Sequence, residues 1–107
     1  MLIDALTPDV YRAISDPTRR QMLELLRVRD RTVTELAEPF AMTQPAVSQH
    51  LRVLRAAGLV DVRKEGRHRV YHLDPRPLQE VFDWVQYFEA YWREKLAELG
   101  RELDRTT

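Results

Sequence analysis

The side chains able to do chemistry are concentrated in a short stretch, Thr43-Gln44-Pro45-Ala46-Val47-Ser48-Gln49-His50-Leu51-Arg52. Its carboxamides, hydroxyls and guanidinium make directional hydrogen bonds, but they include no nucleophile with its base. Ser48 and His50 are two residues apart, and on a helix such side chains point about 200 degrees away from each other. There is no glycine-rich phosphate loop, and no pair of carboxylates beside a histidine. The 107 residues contain no cysteine, which removes disulfides, thiolate metal sites and cysteine nucleophiles together. These residues do not describe an enzyme. They describe a binding surface.

A second cluster follows: Arg63, Lys64, Arg67, His68 and Arg69 within seven residues, interrupted by the single acid Glu65. The overall charge of zero hides this local excess. Residues 1–42 balance at −1 and residues 77–107 at −3, while residues 43–76 carry +4. A basic patch on an otherwise neutral surface is an electrostatic footprint for phosphates. All but two of the 17 basic residues are arginine, the side chain suited to bidentate phosphate and guanine contacts. A non-specific chromosome-associated protein would carry a much more basic overall balance.

The elements that position these clusters are legible from caps, breakers and apolar spacing. Thr7-Pro8 and Asp16-Pro17 each read as an N-cap with proline at the first helical position, predicting helices to about Ser15 and from Pro17 onward. The second helix turns Met22, Leu23, Leu25 and Leu26 inward. Arg29-Asp30-Arg31 is a polar break, and Thr34 is expected to cap a short helix, Glu35–Glu38, stopped by Pro39. Thr43 opens the next helix, with Val47, Leu51 and Leu54 as its buried stripe and Gly58 as its end. Residues 59–63 and 69–73 are β-rich runs around a basic, glycine-containing tip, Lys64-Glu65-Gly66-Arg67. Tyr71 and Leu73 alternate with His72, so Tyr71 is read as structural. Asp74-Pro75 is expected to cap one long last helix running to about Leu99 or beyond.

Helix, helix, short helix, turn, helix, hairpin and long helix make a mainly α winged helix-turn-helix in a single domain. Residues 8–75 form its DNA-binding part, and residues 76–103 form a dimerisation helix assisted by residues 8–15. With the stripe turned inward, Gln44, Pro45, Ser48, Gln49 and Arg52 face outward at the helix start, the part of a recognition helix that reads the major groove. Gln44 and Gln49 suit adenine, Ser48 suits any base, and Pro45 and Ala46 suit a thymine methyl group. Arg52 is placed at phosphate. His50 lies beside the stripe, where packing, phosphate contact and base reading all remain open. The basic tip would lie along the backbone or the minor groove. A protein-binding winged helix would need an acidic or apolar recognition face, which this is not.

Several strings together resemble the ArsR/SmtB family of small dimeric bacterial transcriptional repressors. They are Ser15-Asp16-Pro17-Thr18-Arg19-Arg20, Thr34-Glu35-Leu36-Ala37, Gln44 through Leu54, Ala57-Gly58-Leu59-Val60, Gly66-Arg67 and Tyr71-His72-Leu73. The resemblance covers roughly residues 8–90, and it is the combination that is specific. It implies that Gln44, Pro45, Ser48 and Gln49 occupy positions that touch bases in relatives. It also implies a homodimer on an inverted-repeat operator in double-stranded DNA, with repression as the expected outcome and activation as the alternative. Metal-sensing relatives carry a cysteine pair near Leu36-Ala37-Glu38, or Asp and His ligands on the last helix. Here there is no cysteine, and no histidine follows Asp83, so no metal and no cofactor are expected. A small organic effector, or none, remains open.

Six of the nine aromatic residues lie between Phe82 and Trp92. Leu78, Val81, Val85, Phe88, Trp92 and Leu96 follow a near-heptad spacing, and Trp84, Tyr87 and Tyr91 mark another face. Two apolar faces on one helix need two covering surfaces, so a second copy is expected on this helix, with a ligand pocket there as the alternative. No apolar run approaches the roughly 20 residues that cross a bilayer. The start, MLIDALTPDVYR, lacks a basic region followed by a long apolar stretch, so no secretion signal is expected and the cytoplasm is the default location.

Overall fold

The computed structural model describes residues 10–106, so the Thr7-Pro8 cap lies outside the described residues. Helix α1 spans Val10–Ile14 and α2 spans Pro17–Val28. Asp16 caps α2 as its sequence predicts, its carboxylate accepting from the amides of Thr18 (2.7 Å) and Arg19 (3.2 Å). Strand β1 is the two-residue segment Arg31–Thr32, and α3 spans Val33–Ala37. Helix α4 spans Gln44–Ala56, followed by strands β2 (Val60–Glu65) and β3 (His68–Leu73). Helices α5 (Leu78–Gln86) and α6 (Glu89–Arg105) complete the order.

The core forms where the apolar stripes of α2 and α4 meet the inner face of the sheet. Met22 and Leu26 of α2 bury against Val47, Leu51 and Leu54 of α4, with Leu36, Leu59, Val60 and Tyr71 closing the cluster. Tyr71 is thus structural, as the alternation along its strand predicts. The sheet is antiparallel in the order β1-β3-β2, with Val62 opposite Tyr71 and Glu65 opposite His68. The hairpin is therefore longer than its β-rich runs suggest, and its loop is only Gly66-Arg67. Gly66 has a φ of 60°, the left-handed conformation that a two-residue hairpin turn requires at its first position.

Three expectations about the helices need correction. Thr32, not Thr34, caps α3. Its hydroxyl accepts from the Glu35 amide (3.2 Å) while the Glu35 carboxylate accepts from the Thr32 amide (2.9 Å), a reciprocal capping box. Thr34 has no acid three residues on to complete one. The Arg29-Asp30-Arg31 break also does more than separate helices, since Arg31 and Thr32 pair with Tyr71 and Val70 to add a third strand.

The last helix is two helices. Asp74 does not cap α5; it accepts from the Arg76 amide (3.1 Å) and binds the Arg76 guanidinium (2.6 Å), and α5 begins only at Leu78. The helix then breaks at Tyr87-Phe88, where tighter bonds run from the Tyr87 amide to the Trp84 carbonyl and from the Phe88 amide to the Val85 carbonyl. No proline or glycine marks the break. The run Trp84-Val85-Gln86-Tyr87-Phe88 is instead rich in aromatic and β-branched residues with lower helix propensity. Within α5 and α6 no residue is fully buried. The radius of gyration, 18.4 Å, exceeds the roughly 13 Å expected for a compact chain of this length.

Glu35 makes α3 sensitive to acid. The hydrogen bond from the Thr32 amide, reinforced by the Arg29 guanidinium at 3.0 Å, lowers its carboxyl from 4.5 to about 2. A depressed carboxyl contributes stability that is complete above its unfolded value and disappears as the pH falls through the folded one. Thermal unfolding of the wild type should therefore lose this contribution between pH 4.5 and 2. Glu35→Gln should flatten that limb, and an unchanged acid profile would disprove the linkage.

Candidate DNA interface

Three buried side chains decide how α4 is presented. Val47, Leu51 and Leu54 lie at i, i+4 and i+7, and each is at most 1% exposed. Burying side chains of this size stabilises the packing by about 1.5–3 kcal/mol each. Rotation of α4 about its axis would expose them, so its polar face is fixed outward. The Thr43 hydroxyl caps the helix by accepting from the Ala46 amide (3.3 Å), and Pro45 sits in the first turn. At the other end Gly58, with φ 79°, permits a Schellman closure in which the Leu59 amide donates to the Leu54 carbonyl (3.0 Å) and the Gly58 amide to the Arg55 carbonyl (2.9 Å).

The sequence-predicted residues separate into groups. Thr43, Gln44, Pro45, Gln49 and Arg52 are exposed on α4, and Ser48 is half-buried beside them. Gln44 donates to the Thr34 hydroxyl at 3.3 Å, tying the start of α4 to α3. Arg52 donates to the Gln49 carboxamide oxygen, leaving that amide group oriented at the surface. His50 is half-buried and turned toward α2. Its Nδ1 lies 3.3 Å from an Arg19 guanidinium nitrogen, and it is not among the residues that border three clefts between α4 and the wing.

Those clefts share lining residues and together make a groove along α4 and the wing. One of about 370 Å³ is bordered by Thr32, Val33, Thr34, Gln44, Ser48, Arg67, His68, Arg69 and Tyr71. A second, about 240 Å³, runs between Ser48, Leu51, Arg52, Arg55, Arg69 and Tyr71. A third of the same size lies among Arg55, Val62, Arg63, Lys64 and Arg69. Arg69 borders all three. Arg55 borders two, and sequence reasoning missed it. Its signal was available, because Ser48, Arg52 and Arg55 repeat the i, i+4, i+7 spacing on the polar side of the helix.

Charge is not spread evenly over these cations. Arg63 bonds to Asp30 (2.8 Å) and to Glu65 (2.6 Å), and hydrogen bonds to those two carboxylates raise its pKa above the ordinary value. Although grouped with the wing contacts by sequence, Arg63 has its charge matched within the subunit. Arg55, Lys64, Arg67 and Arg69 are exposed and make no ion pair with a carboxylate among the described residues. Of the face expected for a second copy, Leu78 and Val81 are partly buried against the subunit's own core, whereas Val85, Phe88, Trp92 and Leu96 stand 45–66% exposed.

A helix whose apolar stripe is anchored and whose polar face adjoins a basic two-stranded wing defines the winged helix-turn-helix class. The model of bacterial regulatory proteins of the arsR family matches residues 16–62, which span α2 to the middle of β2. The transcriptional repressor SdpR of Bacillus subtilis (strain 168) is 38% identical over 80 residues, covering 75% of this chain and 89% of the relative. The HTH-type transcriptional regulator Rv2034 of Mycobacterium tuberculosis (strain ATCC 25618 / H37Rv) is 47% identical over 73 residues, covering 67% and 68% respectively. Among solved structures, that of the ArsR family transcriptional regulator RHA00566 superposes with a TM-score of 0.69 at 34% identity, covering 78% of this chain and 91% of the other. This chain belongs to the arsR family. It is a DNA-binding transcriptional regulator, and the family is one of regulators, not enzymes. No helix among the described residues is long and apolar enough to cross a membrane.

The uneven matching of cations gives a direct test. Arg67→Ala should weaken binding to every DNA sequence and reduce the salt dependence of affinity by about one counterion. Arg63→Ala should change that slope by less, because Asp30 and Glu65 already neutralise it. Affinity measured across a salt series separates the two variants, and an unchanged slope for Arg67→Ala would remove the tip from the interface.

Proposed function

We propose that the protein is a cytoplasmic homodimeric repressor that grips an inverted-repeat operator, placing residues 43–57 of each subunit in a major groove. Residues 8–75 are the DNA-binding part, and residues 76–103, helped by residues 8–15, hold the two copies together. The observation that carries this reading is the groove between α4 and the wing, where Gln44 and Ser48 share a cleft with Arg67 and Arg69, and Arg55 and Lys64 extend the basic lining. Gln44, Ser48 and Gln49 take the base edges, with Pro45 and Ala46 against thymine methyl groups. Arg52, Arg55, Lys64, Arg67, His68 and Arg69 take the backbone, which fixes register without specifying sequence. Binding over a promoter then excludes polymerase, in keeping with the relatives named as repressors.

The homodimer is supported by the unpartnered apolar surface of α5 and α6. Trp92 is 56% exposed and Leu96 66%, within a run of exposed aromatic and aliphatic side chains. Contiguous apolar surface of this kind on a monomer marks an interface. Twofold symmetry sets the recognition helices about one DNA turn apart.

Selection of bound duplexes from a random library should recover an inverted repeat with half-sites so spaced, and a recovered set without dyad symmetry would contradict the proposal. Gln49→Ala should weaken binding to the selected duplex by roughly 1–3 kcal/mol with non-specific affinity nearly unchanged. Equal loss on both kinds of DNA would argue against base reading. In sedimentation experiments Trp92→Ala should shift the equilibrium toward monomer, and a wild type that is wholly monomeric would end the dimer argument.

A further inference from the structure

The Asp16-Pro17-Thr18-Arg19-Arg20 string has a physical role that its position at the start of α2 does not by itself require. Arg19 is largely enclosed, its side chain 13% exposed. Its Nε donates to the Ala13 carbonyl at 2.7 Å and one Nη to the Arg12 carbonyl at 2.9 Å. These are carbonyls at the C-terminal end of α1, and the Arg12 carbonyl also accepts from the amide (3.2 Å) and the hydroxyl (2.7 Å) of Ser15. The other Nη reaches Nδ1 of His50 on α4 at 3.3 Å, and the Asp16 carboxylate lies 4.0 Å away. Burial raises the Asp16 pKa, but the amide hydrogen bonds of Arg19 and Thr18, with the neighbouring Arg19 charge, carry it below the ordinary value.

The contacts continue on the far side of α1. The Tyr11 hydroxyl donates to the Glu80 carbonyl of α5 at 3.2 Å, and the Tyr11 ring meets Trp84 edge-on at 6.2 Å between centroids. Trp84 in turn packs edge-on against Phe88, within the exposed apolar surface. A row of contacts therefore leads from α5 through α1 and Arg19 to the middle of α4. A planar guanidinium holds its donors in a rigid fork, so displacement of α1 changes what that fork offers to His50.

We propose that Arg19 is a positioning residue for the recognition helix, transmitting the placement of α1 and α5 to α4 through His50. His50 then acts as an anchor point of the helix, not as a reader of bases. A guanidinium only donates, so the contact requires a lone pair on His50 Nδ1, with the ring proton on Nε2. Any event that moves α1 against α2, such as docking of a second copy on α5, is thereby felt at the DNA-reading face. The inference rests on the reading of α4 as the DNA-contacting helix.

The test is a double-mutant cycle of Arg19→Lys and His50→Ala, with affinity measured for the library-selected duplex and for a scrambled duplex. Each single variant should weaken binding to the selected duplex about tenfold with scrambled-duplex affinity unchanged, and the double variant should lose no more than either single one. His50→Gln, which offers a carbonyl oxygen to the same donor, should restore most of the loss. In the free protein, ¹⁵N shifts of the His50 ring should report Nδ1 as an acceptor and should change in Arg19→Lys. Additive losses, or an Arg19→Lys variant with wild-type affinity and unchanged ring shifts, would overturn the coupling. Loss of selected-duplex affinity in His50→Ala but not in Arg19→Lys would make His50 a direct DNA contact. If no duplex is preferred by any form, the reading of α4 fails, while the ring shifts still decide whether Arg19 holds His50.

Discussion

The anchoring of α4 by Val47, Leu51 and Leu54 is the constraint from which the other features of the interface follow. A helix that buries these side chains against α2 and the sheet has no freedom to roll, so the side chains opposite them face outward together. The wing is fixed by the same cluster. Tyr71 and Val60 belong to it, and Tyr71 also borders the groove that separates β3 from α4. One small core thus sets both walls of the groove, and the polar side chains that line it inherit their spacing from apolar ones that never meet solvent.

Within that frame, net charge is a poor guide and local matching of charge a good one. The chain is neutral overall, yet its middle third holds an excess of cations. Even there the count overstates the field. Arg63 and Arg76 are matched by Asp30, Glu65 and Asp74, while Arg55, Lys64, Arg67 and Arg69 stand open along the groove. Exposed ion pairs of this kind contribute little to stability. Their effect is to focus the remaining charge on the surface between α4 and the wing.

Most of the fold was legible because its signals are local. Asp16-Pro17, Thr43 with Pro45, and Gly58 mark helix ends by backbone hydrogen bonding alone, and all three act as read. The winged helix-turn-helix, the family and the regulatory class followed from their combination. Strand β1 was not legible, since two residues carry no periodicity and only their pairing with Tyr71 and Val70 makes them a strand. The cap of α3 was misplaced although Thr32 and Glu35 stand at capping-box spacing, because Thr34 lies closer to the apolar positions. The break at Tyr87-Phe88 was hidden for the opposite reason: its apolar spacing runs on unbroken while the backbone does not. Arg19 and His50 are 31 residues apart, and no pattern along the chain announces a tertiary contact of that kind.

Gly58 has a consequence beyond ending α4. A Cβ built at this position would stand 3.4 Å from the Pro77 ring, on a backbone whose positive φ already disfavours any side chain. The chain leaving the recognition helix is thus crossed at close range by the chain entering α5. Wing, recognition helix and α5 therefore meet where Gly58 touches the Pro77 ring, with no space between the two segments for a side chain to fill freely. In a chimaeric regulator the natural place to splice is consequently beyond this crossing, where α5 has already begun, and not at the foot of the hairpin.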